Sequence, residues 1–458
     1  MAKVKKAYFC RECGYDTAKW MGKCPSCGAW NSFAEEVIAA PSSVPALVAS
    51  RAVEPARPQK VQEIECGKTV RIDTGNSEVN RVLGGGVVPG SLILLGGEPG
   101  IGKSTLSLQL ALTNNGMTTL YVSGEESAEQ IRLRADRIGI NNENCTVYTE
   151  TLLENVVSQI DTLRPDIVVI DSIQTMASSL LESSPGSVSQ IRECAATLLK
   201  YAKSTGTAIF IIGHITKEGT IAGPKVLEHM VDAVLNFEGD KRQSYRIIRA
   251  QKNRFGSTNE IGVFEMTDTG LRQVVNPSEM LLSDRPTDVS GNCAVCTIEG
   301  SRPIVAEIQA LVTQTAFPAP RRTSNGIDYN RTCLILAVLE KRLGLKFSGS
   351  DVYLNVIGGL EIDEPASDLG IAMALISSLT DKKVPDALIA IGEVGLAGEI
   401  RGVSHVEQRV REAARLGFTD ALLPTHNAQS CPMIDGITVH PVKNIYDILK
   451  FLKGENKN

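Results

Sequence analysis

The sequence contains neither a long apolar segment nor a leader-like start. No run of predominantly apolar residues reaches the roughly 18 that a membrane-spanning helix requires. The basic first residues lead into Tyr8, Phe9 and Cys10 without the apolar core of a signal peptide. These absences predict a cytoplasmic protein with no membrane partner.

Neither sign of charge is in large excess. The chain has 47 Lys+Arg against 52 Asp+Glu, which gives a net charge of −5. Bulk electrostatics therefore favours no class of partner, and any nucleic-acid surface has to be local. At 458 residues and 43% hydrophobic content, the chain has enough length and apolar surface for about three domains with real cores.

The cysteines do not suggest a disulfide framework, because their number is odd, at eleven, and the expected compartment is reducing. Two CxxC pairs, each followed by a glycine, lie close together near the N-terminus. Four thiolates suit tetrahedral Zn²⁺, so we predict a structural zinc finger over residues 1–33, with redox chemistry as the alternative. The predicted ligands are Cys10, Cys13, Cys24 and Cys27. The pair Cys293 and Cys296 has no partner pair nearby and is interpreted as packing.

Residues 34–66 are rich in Ala, Pro, Ser and Val, which favours a linker; the alternative is a docked strand around 44–48. Over 67–281, short apolar runs alternate with helix-period stretches, which predicts a mostly parallel sheet with helices on both faces. After residue 212 the connections shorten, which predicts antiparallel strands at one edge. Residues 282–458 form a second mixed α/β unit.

A glycine-rich loop between an apolar strand and a helical stretch is the most informative motif. It matches G-x-x-x-x-G-K-[ST], in which backbone N–H groups and the helix N-terminus bind a polyphosphate. The lysine reaches the β- and γ-phosphates and the serine hydroxyl holds Mg²⁺, so the motif predicts ATP and Mg²⁺ as cofactors. The predicted nucleotide-binding residues are Gly97, Glu98, Pro99, Gly100, Ile101, Gly102, Lys103, Ser104 and Thr105.

Hydrolysis also needs a second carboxylate for Mg²⁺ and a base that orients water. Asp171 ends the apolar run Ile167–Ile170, at the strand end where open α/β sheets bind ligands, so we predict that it holds the metal. Glu125 and Glu126 follow another strand, and either could be the base. They are also compatible with carboxylates that stabilise a helix N-terminus.

These motifs resemble those of the RecA-fold recombination ATPases. The resemblance covers the four-cysteine knuckle, residues 80–90 leading into the phosphate loop, and the KNRFG segment Lys252–Gly256. It implies that Glu125 is the catalytic base. It also implies that Lys252 and Arg254 act on a neighbour's γ-phosphate, which predicts a ring, expected to be a hexamer. From charge pattern alone, the two cations would be a solvated strand end.

The resemblance also implies where DNA binds. The glycine-rich stretch after residue 213 corresponds to the loops that grip single-stranded DNA, so His214 resembles the γ-phosphate sensor, and Lys217 and Lys225 resemble DNA-phosphate contacts. Arg321 and Arg322 lie in a second basic stretch that could track phosphates. Taken singly, these residues could equally be structural or surface charges.

The second α/β unit resembles the Lon protease domain, of the ribosomal S5-like fold. Lon uses a Ser-Lys dyad, but here Asp368 occupies the nucleophile's place, and the segment around Arg409 offers no lysine. We therefore expect a proteolytically inactive scaffold, unless a register shift makes Ser367 the nucleophile.

The resulting expectation is an ATP-dependent motor of recombinational DNA repair. The resemblance implies branch migration on single-stranded DNA and branched recombination intermediates, together with a RecA-type recombinase. The alternatives are a RecA-fold regulatory ATPase that acts on proteins and an ATP-fed peptidase.

Overall fold

A computed structural model describes residues 5–10, 15–26, 28–38, 71–113, 116–213, 226–239, 245–282 and 285–453. The chain divides into two compact units, Met1–Val274 and Val275–Asn458. Over these described ranges, none of the helices combines the length and the apolar character needed to span a membrane.

The N-terminal segment is a three-stranded antiparallel ribbon. Its strands are β1 (Lys5–Cys10), β2 (Asp16–Thr17) and β3 (Phe33–Ile38), in the order β2-β1-β3. Cys10 pairs with Phe33, so β3 extends the ribbon five residues past the predicted boundary at residue 33. Residues 34–38 therefore belong to a strand, whereas the rest of the predicted linker lies outside the described residues.

The predicted RecA-like unit is built on a nine-stranded sheet with the order β12-β11-β10-β9-β4-β8-β7-β5-β6. Strands β4 to β9 pair in parallel, and β10 to β12 add the antiparallel edge expected from the short connections. The strands are β4 (Leu92–Gly97), β5 (Thr119–Ser123), β6 (Cys145–Thr149), β7 (Ile167–Asp171), β8 (Ala208–Ile212), β9 (Ala233–Glu238), β10 (Tyr245–Asn253), β11 (Ile261–Thr267) and β12 (Gly270–Gln273). The helices are α1 (Ser77–Val82), α2 (Lys103–Thr113), α3 (Ala128–Ile138), α4 (Leu153–Leu163), α5 (Val188–Thr205) and α6 (Val226–Met230).

Alternating side chains of the central strands supply a separate core on each face of this sheet. On β4, Ile93 and Leu95 pack into one apolar cluster, and Leu92 and Leu94 pack into the other. A parallel strand covered on both faces reads as a continuous apolar run, which is why β4, β7 and β8 were recognisable in the sequence. Burial on both faces fixes the position of the strand, so the loop that follows starts from a defined place at its carboxyl end.

The second unit contains a seven-stranded mixed sheet with the order β15-β16-β14-β13-β17-β20-β21 and a separate hairpin, β18-β19. The predicted boundary after residue 281 falls within helix α7, which belongs to this unit. The strands are β13 (Asn292–Glu299), β14 (Arg302–Gln314), β15 (Arg322–Asn325), β16 (Ser350–Val356), β17 (Leu388–Ala390), β18 (Glu393–Val394), β19 (Ile400–Arg401), β20 (Asp420–Pro424) and β21 (Thr438–Val442). The helices are α7 (Pro277–Leu282), α8 (Tyr329–Leu343), α9 (Asp368–Thr380), α10 (Val406–Arg415), α11 (Thr425–Ser430) and α12 (Ile445–Lys453).

Candidate nucleotide site and associated surfaces

The phosphate loop connects the carboxyl end of β4 to the first residue of α2. Its backbone is compact enough to require glycine at two positions. Gly97 has φ 154°, and a Cβ there would lie 2.7 Å from Phe237 Cβ; a Cβ on Gly102, at φ 118°, would lie 2.9 Å from Met266 Cε. Any larger residue would push the loop out of the shape that directs N–H groups toward a phosphate.

The ammonium group of Lys103 lies inside this loop. Its Nζ donates to the carbonyl oxygens of Gly97 at 2.7 Å and Glu98 at 2.9 Å. Burial lowers the pKa of Lys103 to about 8, against the opposing pull of Asp171, Glu125 and Glu98. A bound triphosphate would supply the negative charge that this buried cation lacks.

Asp171 lies at the end of β7, beside the first turn of α2, and its side chain is buried. It accepts hydrogen bonds from the Ser104 side chain and, at 2.6 Å, from the Tyr121 hydroxyl. Desolvation raises the pKa of Asp171 while these two hydrogen bonds lower it. A serine hydroxyl and a carboxylate held together are the oxygen ligands that Mg²⁺ uses with a nucleotide, so these residues fit the predicted metal.

The adjacent carboxylates after β5 have different partners. Glu125 accepts a hydrogen bond from Ser172, the residue next to Asp171, and its side chain is exposed. Glu126 instead pairs with Arg134 on α3. Glu125 is therefore oriented toward the nucleotide site while Glu126 is engaged by the following helix, which favours Glu125 as the base.

The strand register places Lys252 and Arg254 away from the phosphate loop of their own subunit. Lys252 lies level with Leu94, and Arg254 donates its backbone N–H to Asp232, next to the start of β4. At about 3.3 Å per residue, they lie roughly 10 and 16 Å back along the sheet from Gly97.

Both side chains are held near the amino-terminal ends of the parallel strands, away from the phosphate loop. Lys252 Nζ donates to the carbonyls of Glu228 at 2.7 Å and His229 at 3.2 Å, and Arg254 pairs with Asp232 at 3.2 Å. Burial and neighbouring Arg254 lower the pKa of Lys252. The β9-β10 pairing contains a bulge between Ala250 and Lys252, and β10 ends before Arg254.

Sequence reasoning missed three residues that organise the site. The Tyr121 hydroxyl donates a hydrogen bond to Asp171, and the Ser172 hydroxyl donates one to Glu125. The third residue is Asp232, next to the start of β4. The buried Asp232 carboxylate accepts from Lys203 at 2.8 Å, from Arg254, and from the Leu92 backbone N–H at 3.1 Å. The sequence signal for Tyr121 is an aromatic residue with a polar group between Leu120 and Val122, at the centre of the strand.

The predicted DNA-contacting residues are only partly described. His214, Lys217 and Lys225 lie outside the described residues. The Arg321 guanidinium stacks on Phe317, with 3.7 Å between its central carbon and the ring centroid. Arg322 instead donates to backbone carbonyls, at 2.7 Å to Phe347 and also to Ser350, so the two arginines have different roles.

In the ribbon, Cys10 and Cys24 are buried together with Phe33. Their backbone N–H groups donate to the carbonyl oxygens of Tyr15 at 2.9 Å and Ala29 at 2.8 Å. Thiols from both pairs in one small cluster fit zinc. The other predicted ligands, Cys13 and Cys27, lie outside the described residues.

In the Lon-like unit, Asp368, which stands at the predicted place of the nucleophile, is engaged by an arginine. Asp368, at the start of α9, is buried and bonded to Arg331 Nε at 2.7 Å and the Val394 N–H at 3.0 Å. The Ser367 hydroxyl donates to the Glu364 carbonyl at 2.9 Å. Within residues 285–453, neither Asp368 nor Ser367 is hydrogen-bonded to a lysine. This geometry favours the loss of peptidase activity.

Proteins of similar sequence occur in several bacteria. The chain is 49% identical to DNA repair protein RadA of Halalkalibacterium halodurans, over 99% of this chain and 100% of that protein. It is 51% identical to DNA repair protein RadA of Bacillus subtilis and 50% identical to that of Listeria monocytogenes, in both cases over 98% of this chain and 99% of the relative. The chain belongs to the RadA family.

Three family models match separate segments of this RadA chain. A rubredoxin metal binding domain matches residues 8–35, an AAA domain matches 55–220, and the ChlI subunit of Mg-chelatase matches 334–427. A solved KaiC-like protein from Pyrococcus horikoshii covers 44% of this chain and 98% of its own at 20% identity, with a TM-score of only 0.38. RadA membership and the AAA match confirm the predicted fold class, the ATPase activity and the cofactors ATP, Mg²⁺ and Zn²⁺.

Proposed function

We propose that this RadA chain is an ATP-dependent motor that acts on single-stranded DNA and branched recombination intermediates during recombinational repair. Its curated relatives are named DNA repair proteins. We further propose that it works as a ring, of six subunits, and cooperates with a RecA-type recombinase in branch migration.

The separation of the phosphate loop from Lys252 and Arg254 supports this proposal most directly. Within one subunit, the hydrogen bonds of Lys252 and Arg254 hold both cations near the amino-terminal ends of the parallel strands. Lys103 lies at the carboxyl ends. Cations in that position complete the nucleotide site of a neighbouring subunit, because γ-phosphate charge in the transition state needs additional positive groups. Hydrolysis thereby becomes dependent on assembly.

The nucleotide site supplies the remaining groups. Bound Mg²⁺ would neutralise charge on the β- and γ-phosphates, and Ser104 and Asp171 would hold it. Glu125 accepts a proton from the attacking water and orients it, and Lys103 stabilises the phosphate oxygens. His214 would sense the γ-phosphate, and Lys217, Lys225 and Arg321 would contact DNA phosphates.

We assign the ribbon to residues 1–38, the ATPase unit to the segment that follows the proposed linker and ends at Val274, and an inactive Lon-like scaffold to Val275–Asn458. Degradation of casein that is lost on Ser367→Ala would contradict the inactive assignment.

The test of the motor is ATPase turnover with and without single-stranded DNA at low salt. We expect DNA to raise turnover of the wild type, and Lys252→Ala to abolish turnover with and without DNA while nucleotide binding is retained. Arg272→Ala, which removes an exposed arginine paired with Glu265 on the antiparallel edge, is the matched control. No stimulation of the wild type by DNA would favour the regulatory ATPase that acts on proteins.

A further inference from the structure

The ribbon carries an exposed aromatic surface that the nucleotide site does not use. The chain has two tryptophans, and both are here: Trp20 is 54% exposed and Trp30 is 70% exposed. Large apolar side chains at the surface of so small a unit mark an interaction site when they lie together.

The two indoles converge on one backbone position. A Cβ at Gly22 would lie 3.8 Å from Trp20 Cη2 and 3.9 Å from Trp30 Cζ3. The Asn31 N–H donates to the Gly22 carbonyl at 2.8 Å, and Lys23 forms a β-bridge with Trp30. The backbone thus fixes both rings beside a residue that has no side chain to fill the space between them. We call Trp20, Gly22 and Trp30 the indole platform.

Two lysines lie at or close to the indole platform. The Lys23 ammonium lies 5.6 Å from the centroid of the Trp30 ring, and Lys19 is exposed in the same turn region. Over the ribbon, residues 1–38, the sequence has six Lys or Arg against four acidic residues, Glu12, Asp16, Glu35 and Glu36. Exposed aromatic faces combined with cations match the unpaired bases and phosphates of single-stranded nucleic acid.

We propose that the indole platform is a base-stacking site for single-stranded nucleic acid, with Lys23 contacting the adjoining phosphate. It would be a second contact, separate from the proposed DNA loop at residues 214–225, and it rests on the proposed function. Because every base has a π face, the site would bind without strong sequence preference. The position of Lys23 beside the Trp30 ring favours this ligand over an apolar protein surface.

Tryptophan fluorescence of the full-length, zinc-loaded protein tests the proposal directly, because both tryptophans of the chain lie in the indole platform. The protein is titrated with a dT oligonucleotide and with an abasic oligonucleotide of equal length, in the presence of a nonhydrolysable ATP analogue. We expect dT to quench the emission and the abasic strand to leave it nearly unchanged. Equal quenching by both strands would contradict stacking.

Variants separate the indole platform from the rest of the molecule. Combined Trp20→Ala and Trp30→Ala should weaken dT binding about tenfold, measured by anisotropy of labelled dT, since one stacked base contributes on that scale. Zinc content and DNA-free ATPase turnover should stay unchanged, and combined Trp20→Phe and Trp30→Phe should retain most of the affinity. Leu133→Ala, at a 70% exposed position on α3, is the control.

Two results would overturn the indole platform while leaving the motor intact. One is wild-type protein that binds labelled dT and is stimulated by it without any change in tryptophan emission. The other is a double alanine variant that keeps its dT affinity but no longer binds a RecA-type recombinase, which would make the surface a protein-docking site. Failure of the wild type to bind dT at all would instead contradict the proposed function.

Discussion

At the scale of single residues, the lowered pKa of Lys103 makes nucleotide binding depend on pH. Its folded-state pKa of about 8 is below the ordinary value of 10.5, so the free protein releases this proton as the pH rises through 8. Triphosphate binding requires the ammonium form and therefore takes up a proton in that range.

We predict that affinity for ATP falls above pH 8, by at most about tenfold per pH unit. Calorimetry in buffers of different ionisation enthalpy measures the proton uptake. Lys103→Arg, whose guanidinium stays charged, should show none. Uptake of the same size in that variant would assign the proton to another group.

The two carboxylates after β5 give a second prediction at this scale. Glu125→Gln should lower turnover by at least about 100-fold with nucleotide binding retained, because it removes the proposed acceptor of the water's proton. Glu126→Gln should change turnover far less, since Glu126 pairs with Arg134. Single-turnover hydrolysis and nucleotide titration compare the variants. The reverse ranking would make Glu126 the base.

At the scale of elements, the ribbon should unfold without affecting the ATPase sheet. Cys24 lies in an apolar cluster confined to the ribbon, and so small a unit needs its metal to stay folded. We predict that Cys24→Ser releases zinc and disorders the ribbon while thermal unfolding of the ATPase unit is unchanged. Metal analysis and calorimetry measure this, with Cys145→Ser as the control. Zinc-free wild-type protein would contradict the ligand assignment.

Most central strands could be predicted because a strand buried on both faces leaves a continuous apolar run. Strands β12, β15 and β21 and the β18-β19 hairpin are short or partly exposed, and they lack that pattern. The phosphate loop was predictable because all of its groups are contiguous. Tyr121, Ser172 and Asp232 were not, because their roles depend on β5 lying next to β7 and on β9 lying next to β4, which is a long-range property of the sheet.

At the scale of the whole molecule, the proposed sharing of each site predicts rescue between defective subunits. Lys103→Ala protein lacks a working phosphate loop, and Lys252→Ala protein lacks the cation offered to its neighbour. Each should be inactive alone. Mixed in equal amounts, they should recover about one quarter of wild-type turnover, because that fraction of random neighbour pairs has both groups intact. No recovery after verified subunit exchange would refute sharing, and Lys103→Ala mixed with a Lys103→Ala/Lys252→Ala double variant is the negative control.

The separation of Lys252 from the phosphate loop along one sheet also bears on the symmetry of the proposed ring. In that ring, each subunit offers its cations to one neighbour and receives those of the other neighbour, so the subunits are arranged head to tail. An open stack would always leave one terminal subunit whose nucleotide site lacks the cations of a neighbour. Closing the stack into a ring removes that incomplete site. The orientation of a single β-sheet would thus give the proposed ring a polarity before any DNA is bound.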